Sequence, residues 1–276
     1  MTARGRFVAR LMTMLMALAA FVTLGAGPAA AGNSGTVQYV ALGDSYAAGQ
    51  GGGEYLNDCL ESPNGYPYLL DSKMRIDLRA NAACTGASTS EVISTQLSKL
   101  NKDTELVTLT VGAADLDLSG VLAACTVVPP DPVGCQNAIN IALGQLAVLG
   151  GSLSELYTLV DNAAPNALIV VTGYPYLFEI VPGDPTAAIK DQINDAITIL
   201  NGTIQRAVEA QPDGVKILYV DVTAEFAGHG IGSEEPFINS DGDDAYHPNA
   251  AGYRAYAKAI FAAIRSAWLD DNKQAA

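Results

Sequence analysis

Four short runs of Val, Ile, Leu and Thr set the frame for this chain: Gln38 to Leu42, Glu105 to Val111, Ala167 to Thr172 and Val215 to Val222. Each ends at Gly, Asp or a similar breaker, and none alternates apolar with polar, so each reads as a strand buried on both faces of a parallel sheet. Segments with helical spacing lie between them: Pro67 to Arg75, Thr89 to Leu100, Gln136 to Val160, Pro185 to Ala210 and Asn249 to Trp268. A further strand near Asp77 to Ala82 fits between the first two helices. Strands alternating with helices predict an α/β chain, a three-layer, doubly wound, flavodoxin-like sheet of about five parallel strands with helices on both faces.

The first residues do not belong to that frame. Arg4, Arg6 and Arg10 precede an apolar run from Leu11 to Gly25, and small residues follow through Ala31. This is the layout of a secretory signal peptide covering residues 1–31, and the run is shorter than the roughly 20 residues a membrane span needs. Loss of these three arginines would take the formal net charge from -14 to -17. So acidic a surface repels phosphate backbones and anionic headgroups, which argues against nucleic-acid binding and electrostatic membrane docking. No Pro/Ser linker or repeat divides residues 32–276, so a single domain is expected there, secreted, with no membrane span after cleavage and a monomeric state.

Cys59, Cys84, Cys125 and Cys135 all fall in the exported part. An even count in an oxidising compartment predicts two disulfides, with three possible pairings. Cys125 with Cys135 is favoured because the pair brackets a proline-rich turn, VVPPDPVG, which leaves Cys59 with Cys84. No Cys-x-x-Cys spacing and no nearby histidine supports a metal site, so no metal is expected.

In doubly wound sheets ligands gather at the carboxyl ends of the strands, which directs attention to five loops. The first, GDSYAAGQGGG from Gly43 to Gly53, has two readings. A phosphate loop would need a lysine or a glycine fingerprint opening a helix, and here Glu54 follows the glycines. The alternative is that Ser45 is a nucleophile, which requires a base to take its proton. The chain has two histidines. His229, in AGHGIG, has no acid within three residues and reads as a solvent-facing loop residue. His247 ends the long connection from Thr223 to Tyr246, with Asp244 three residues upstream, close enough for its carboxylate to hold the imidazole. Asp241, Asp243 and Asp244 could otherwise form a solvated acidic turn; Ala245 breaks the EF-hand spacing.

GDSY at Gly43 to Tyr46, NAACTGAST, LVTLTVGAAD, VVTGYP and DAYHPN at Asp244 to Asn249 fall in one order along the chain. This set resembles the GDSL or SGNH hydrolases, and is most similar to their secreted actinobacterial lipases and esterases. The resemblance implies the SGNH hydrolase fold and a secreted serine hydrolase that cleaves carboxylic esters, lipids among them, through an acyl-enzyme. It implies no cofactor. Ser45 would be the nucleophile and first oxyanion donor, Gly86 the second donor, His247 the general base and then acid, with Asp244 orienting it. The same resemblance favours Cys59 with Cys84. It also exposes a departure: where the family usually reads TVGGND, this chain has Ala113, Ala114 and Asp115, so Ala114 replaces the asparagine that would be the third oxyanion donor. One donor is typically worth roughly 10²- to 10³-fold in rate. A slowed esterase is therefore expected, and a binding or surface protein that keeps the fold without the activity is the alternative. The stretch Tyr174 to Ile180, YPYLFEI, is expected to wall the acyl site.

Overall fold

Each buried strand in the computed structural model, which describes residues 35–274 other than Met74 and Val128, runs to a loop at the same end of one sheet. The expected signal peptide, residues 1–31, lies outside the described residues. In chain order the elements are β1 (Val37–Gly43), α1 (Ser45–Ala48), α2 (Tyr66–Asp71), β2 (Ile76–Asn81), α3 (Thr89–Glu91), β3 (Leu106–Thr110), α4 (Leu118–Cys125), α5 (Pro132–Gly144), α6 (Leu146–Ala163), β4 (Leu168–Thr172), α7 (Ala187–Glu209), β5 (Ile217–Val220), α8 (Thr223–Phe226) and α9 (Ala250–Gln274). All four strand pairings are parallel and the order is β2-β1-β3-β4-β5. The order in which strands are added to the sheet reverses between β1 and β3, the switch point where such sheets open a crevice.

The central strands are buried because both faces are covered. Every residue of β3 is buried, as are Val40 to Leu42 of β1 and Ile169 to Val171 of β4. One face carries α2, α8 and α9; the other carries the segment from Thr89 to Lys99, α6 and α7. Polar groups inside this core are paired across strands: the Tyr39 hydroxyl meets Thr108 Oγ1 at 2.6 Å, and Thr110 Oγ1 meets Thr172 Oγ1 at 2.6 Å.

The helix expected over Thr89 to Leu100 is α3 followed by a π turn over Val92–Gln96 and a 3-10 turn over Leu97–Lys99, and two further elements depart from expectation. The single helix expected over Gln136 to Val160 is two helices, α5 and α6, bent by 43°. Gly144 weakens the helix there, and the Gln145 N–H turns back to the carbonyls of Ala142 and Leu143, closing α5. The second is α4, a helix of eight residues that is not among the expected ones. Its start is fixed by Asp117, whose carboxylate accepts the Gly120 N–H at 3.1 Å, and by the burial of Val121, Leu122 and Cys125.

Candidate active site

Ser45 is the first residue of α1, on a turn that leaves β1 abruptly. Gly43 has φ +132°, and a Cβ there would lie 2.0 Å from the Thr110 carbonyl oxygen, so only glycine lets β1 run this close to β3. The Gln96 side chain clamps that glycine, accepting its N–H and donating to its carbonyl, both at 2.8 Å. Asp44 then donates its N–H to the Thr110 carbonyl and caps α1 by accepting the Tyr46 N–H at 3.0 Å. The turn is held at both sides of Ser45, and its half-exposed hydroxyl stands at the end of the sheet.

The imidazole of His247 meets that hydroxyl. Ser45 Oγ lies 2.8 Å from His247 Nε2. The other ring nitrogen, Nδ1, lies 3.0 Å from the carbonyl oxygen of Ala245. A carbonyl only accepts, so Nδ1 carries the proton and Nε2 is left as the acceptor for the serine hydroxyl. This differs from the expectation that Asp244 holds the imidazole. Asp244 Oδ1 instead accepts the Tyr55 hydroxyl at 2.5 Å, and the same hydroxyl accepts the Gly51 N–H at 2.8 Å. The tight turn into His247, with Tyr246 at φ +67°, directs the Ala245 carbonyl at the ring and leaves the Asp244 side chain to the glycine loop. Asp244 still acts on the imidazole through its charge. Burial pulls the His247 pKa below its ordinary 6.5, and the Ala245 carbonyl and the Asp244 charge oppose that pull.

The glycines after Ser45 form the seam against the histidine loop. A Cβ on Gly51, at φ +92°, would come within 2.4 Å of the Pro248 carbonyl oxygen and 2.9 Å of His247 Cβ. The Gly51 carbonyl accepts from Asn239, the Gln50 carbonyl from the Tyr253 hydroxyl at 2.6 Å, and the Gln50 amide donates to the Asp243 carbonyl at 3.0 Å. The Tyr46 hydroxyl donates to the Tyr246 carbonyl at 2.5 Å. These bonds fix a histidine 202 residues from its serine.

The far side of the site comes from the loops after β2, β3 and β4. Gly86, at φ +75°, and Ala114 both line the cleft beside Ser45. Cys59 is bonded to Cys84, and the Thr85 N–H donates to the Cys59 carbonyl, so the loop bearing Gly86 is tied to the loop after α1. The Asp115 carboxylate is turned to Thr89, accepting both its N–H and its hydroxyl, the latter at 2.6 Å. Tyr174 links two edges: its hydroxyl donates to Asp44 Oδ2 at 2.5 Å and accepts the Ala113 N–H at 3.1 Å. Burial pushes the Asp44 carboxyl up to about 7, against the hydrogen bonds from Tyr174, Tyr46 and Ala47.

A cleft of about 390 Å³ opens over Ser45 and His247. Leu118, Leu122 and Ala123 of α4 face Leu177 and Tyr246 around it. Of the expected wall, Leu177 lines the cleft, while Tyr174 lies beneath it, almost fully buried. Cys125 is bonded to Cys135, which joins α4 to α5. His229 stacks on Phe237 with ring centroids 3.8 Å apart and Nδ1 on the Glu235 carbonyl, apart from the serine–histidine pair.

Residues 41–255 match the family model described as GDSL-like Lipase/Acylhydrolase family, a span that carries both Ser45 and His247. The chain belongs to this family. Among curated relatives it is 30% identical to Lipase 1 of Streptomyces coelicolor over 257 residues, 90% of this chain and 94% of that one. Among solved structures it resembles the extracellular lipase of Streptomyces rimosus, at 29% identity and TM-score 0.75, covering 82% of this chain and 99% of that one. Phospholipase A1 from Streptomyces albidoflavus NA297 is similar to the same degree, with 33% identity, TM-score 0.75 and the same coverage. The five-stranded parallel sheet is the fold shared with these family members.

Two parts of the site are absent from the sequence reading, and a third, Tyr174, is expected there only as part of a wall. The Ala245 carbonyl is backbone and has no residue signature. Gln50 sits inside the glycine run without a motif of its own. Tyr174 does follow a strand at its carboxyl end, and that position is the signal that points to it.

Proposed function

We propose that this family member is a secreted hydrolase of carboxylic esters that works through an acyl-enzyme on Ser45. The observation that carries the reading is the 2.8 Å approach of Ser45 Oγ to an imidazole nitrogen left free to accept, at the floor of an apolar cleft. Ser45 Oγ attacks the ester carbonyl while its proton passes to His247 Nε2. The negative charge that develops on the carbonyl oxygen faces the N–H groups of Ser45 and Gly86. Collapse expels the alcohol, which takes the proton from His247. Water, deprotonated by the same imidazole, then releases the acid. The carbonyl of Ala245 holds the ring in the tautomer both half-reactions need, and the Asp244 charge favours the imidazolium formed in each.

The acyl chain is assigned to the side of the cleft formed by Leu118, Leu122 and Leu177, which favours lipid or medium-chain esters over acylated carbohydrates. Export is supported by the charged and apolar pattern of residues 1–31, by the two disulfides, and by the description of the Streptomyces rimosus enzyme as extracellular. A second reading, a binding protein without turnover, is favoured by Ala114 alone. Purified protein lacking residues 1–31, assayed on p-nitrophenyl esters from acetyl to palmitoyl, separates the two. A maximum at medium chain length supports the esterase, and no turnover across the series favours the binding protein.

A further inference from the structure

Between Leu118 and Ser154 the sequence contains one charged residue, Asp131, in a chain with 29 acidic and 15 basic residues. Asp131 is occupied as the cap of α5, where its carboxylate accepts the Gly134 N–H at 3.0 Å. This segment is not buried core. Val133 is 70% exposed, Ile141 69% and Val148 65%. The polar residues exposed beside them on α5, Gln136, Asn137 and Asn140, are uncharged amides.

We propose that α5 and the start of α6 form a docking surface for an uncharged or zwitterionic lipid–water interface, which delivers ester substrates to the adjoining cleft. The choice of lipid rests on the ester-hydrolase reading above. Three observations identify the occupant. Exposed aliphatic side chains with amide neighbours suit the level of lipid headgroups, where apolar surface enters and amides stay hydrated. The absence of lysine and arginine from Leu118 to Ser154 removes the usual attraction to anionic lipid, and the acidity of the rest of the chain opposes it, so the surface fits a neutral interface. The pair α5 and α6 has the length and mean hydropathy of a membrane span, but the 43° bend at Gln145 and the burial of Leu149, Leu153 and Leu156 against the body of the protein keep it at the interface.

The surface is linked to the cleft through α4. The wall residues Leu118, Leu122 and Ala123 belong to α4, and the bond between Cys125 and Cys135 fastens α4 to the helix that exposes Val133 and Ile141. Lipid held against α5 would therefore be one helix away from the wall along which the acyl chain is assigned.

The test is co-sedimentation of Ser45→Ala protein with phosphatidylcholine vesicles, in the presence and absence of Val133→Asp and Ile141→Asp. Both positions are exposed, so the charges are expected to leave folding intact, which circular dichroism and thermal melting check. The double substitution is expected to weaken vesicle binding at least about tenfold. In the Ser45 background it is expected to leave hydrolysis of dissolved p-nitrophenyl acetate within twofold while raising the apparent KM for vesicle-borne ester. Equal binding by both forms, or stronger binding to phosphatidylglycerol than to phosphatidylcholine vesicles, overturns the proposal. So does a dimer in light scattering that the aspartates dissociate while neither form binds vesicles, which makes this face a contact between copies of the chain. Because binding is read on Ser45→Ala protein, failure of the serine mechanism is seen separately, as turnover that survives that substitution.

Discussion

His247 Nδ1 is held by the carbonyl oxygen of Ala245 at 3.0 Å, and the Asp244 carboxylate that stands three residues before it is bonded to Tyr55. A backbone carbonyl cannot be removed by changing a side chain, so the tautomer of the base is protected from substitution at either position. Asp244→Asn is accordingly expected to keep kcat/KM within about tenfold of the parent, far from the roughly 10⁴-fold loss seen where a carboxylate alone sets the tautomer. Steady-state kinetics on a p-nitrophenyl ester decide it; a loss beyond 10³-fold would return Asp244 to a direct role on the ring.

The pH profile follows from the same surroundings. His247 must be neutral to accept the serine proton, and burial sets its pKa below 6.5. The acid limb of kcat/KM is therefore expected below pH 6.5, with full activity at neutral pH and loss as pH falls through the folded-state value. Asp244 raises the pKa through its charge, so Asp244→Asn should move that limb to lower pH. A shift to higher pH contradicts the electrostatic role.

Ala114 lines the cleft, and the Asp115 carboxylate beside it is bonded to Thr89. If two backbone donors alone serve the oxyanion, Ala114→Asn adds a third and is expected to raise kcat by up to roughly 10²-fold with little change in KM. A flat or lower kcat means that the oxyanion is already served by another donor.

Much of this was legible in the sequence. Uniformly apolar runs at β1, β3 and β4 mark strands covered on both faces, and the breakers after them mark the loops that carry Ser45, Ala114 and Tyr174. The pairing of Ser45 with His247 was legible because a weak nucleophile needs a base and the alternative, His229, lacks a suitable setting. The partner of His247 was not, since spacing registers Asp244 but cannot register the direction of the Ala245 carbonyl. Nor was α4, whose Leu118, Val121, Leu122 and Cys125 do fall on one helical face, but over only eight residues, too short a run to stand out.

Gly51 carries a prediction of its own. Its φ of +92° is strained for any L side chain, and an added Cβ would press on the Pro248 carbonyl and on His247. Gly51→Ala is expected to displace the imidazole from Ser45 and lower kcat at least about 10²-fold, since a displacement near 1 Å has that effect. Thermal melting should show a smaller proportional change. Activity equal to the parent would mean that the seam yields without moving the base.

Hydrolysis of a medium-chain p-nitrophenyl ester by Ser45→Ala protein, purified without residues 1–31 and shown by circular dichroism to be folded, bears directly on the nucleophile. Turnover is expected to fall at least about 10³-fold. Turnover equal to the parent would contradict the role given to Ser45 and, with it, the acyl-enzyme.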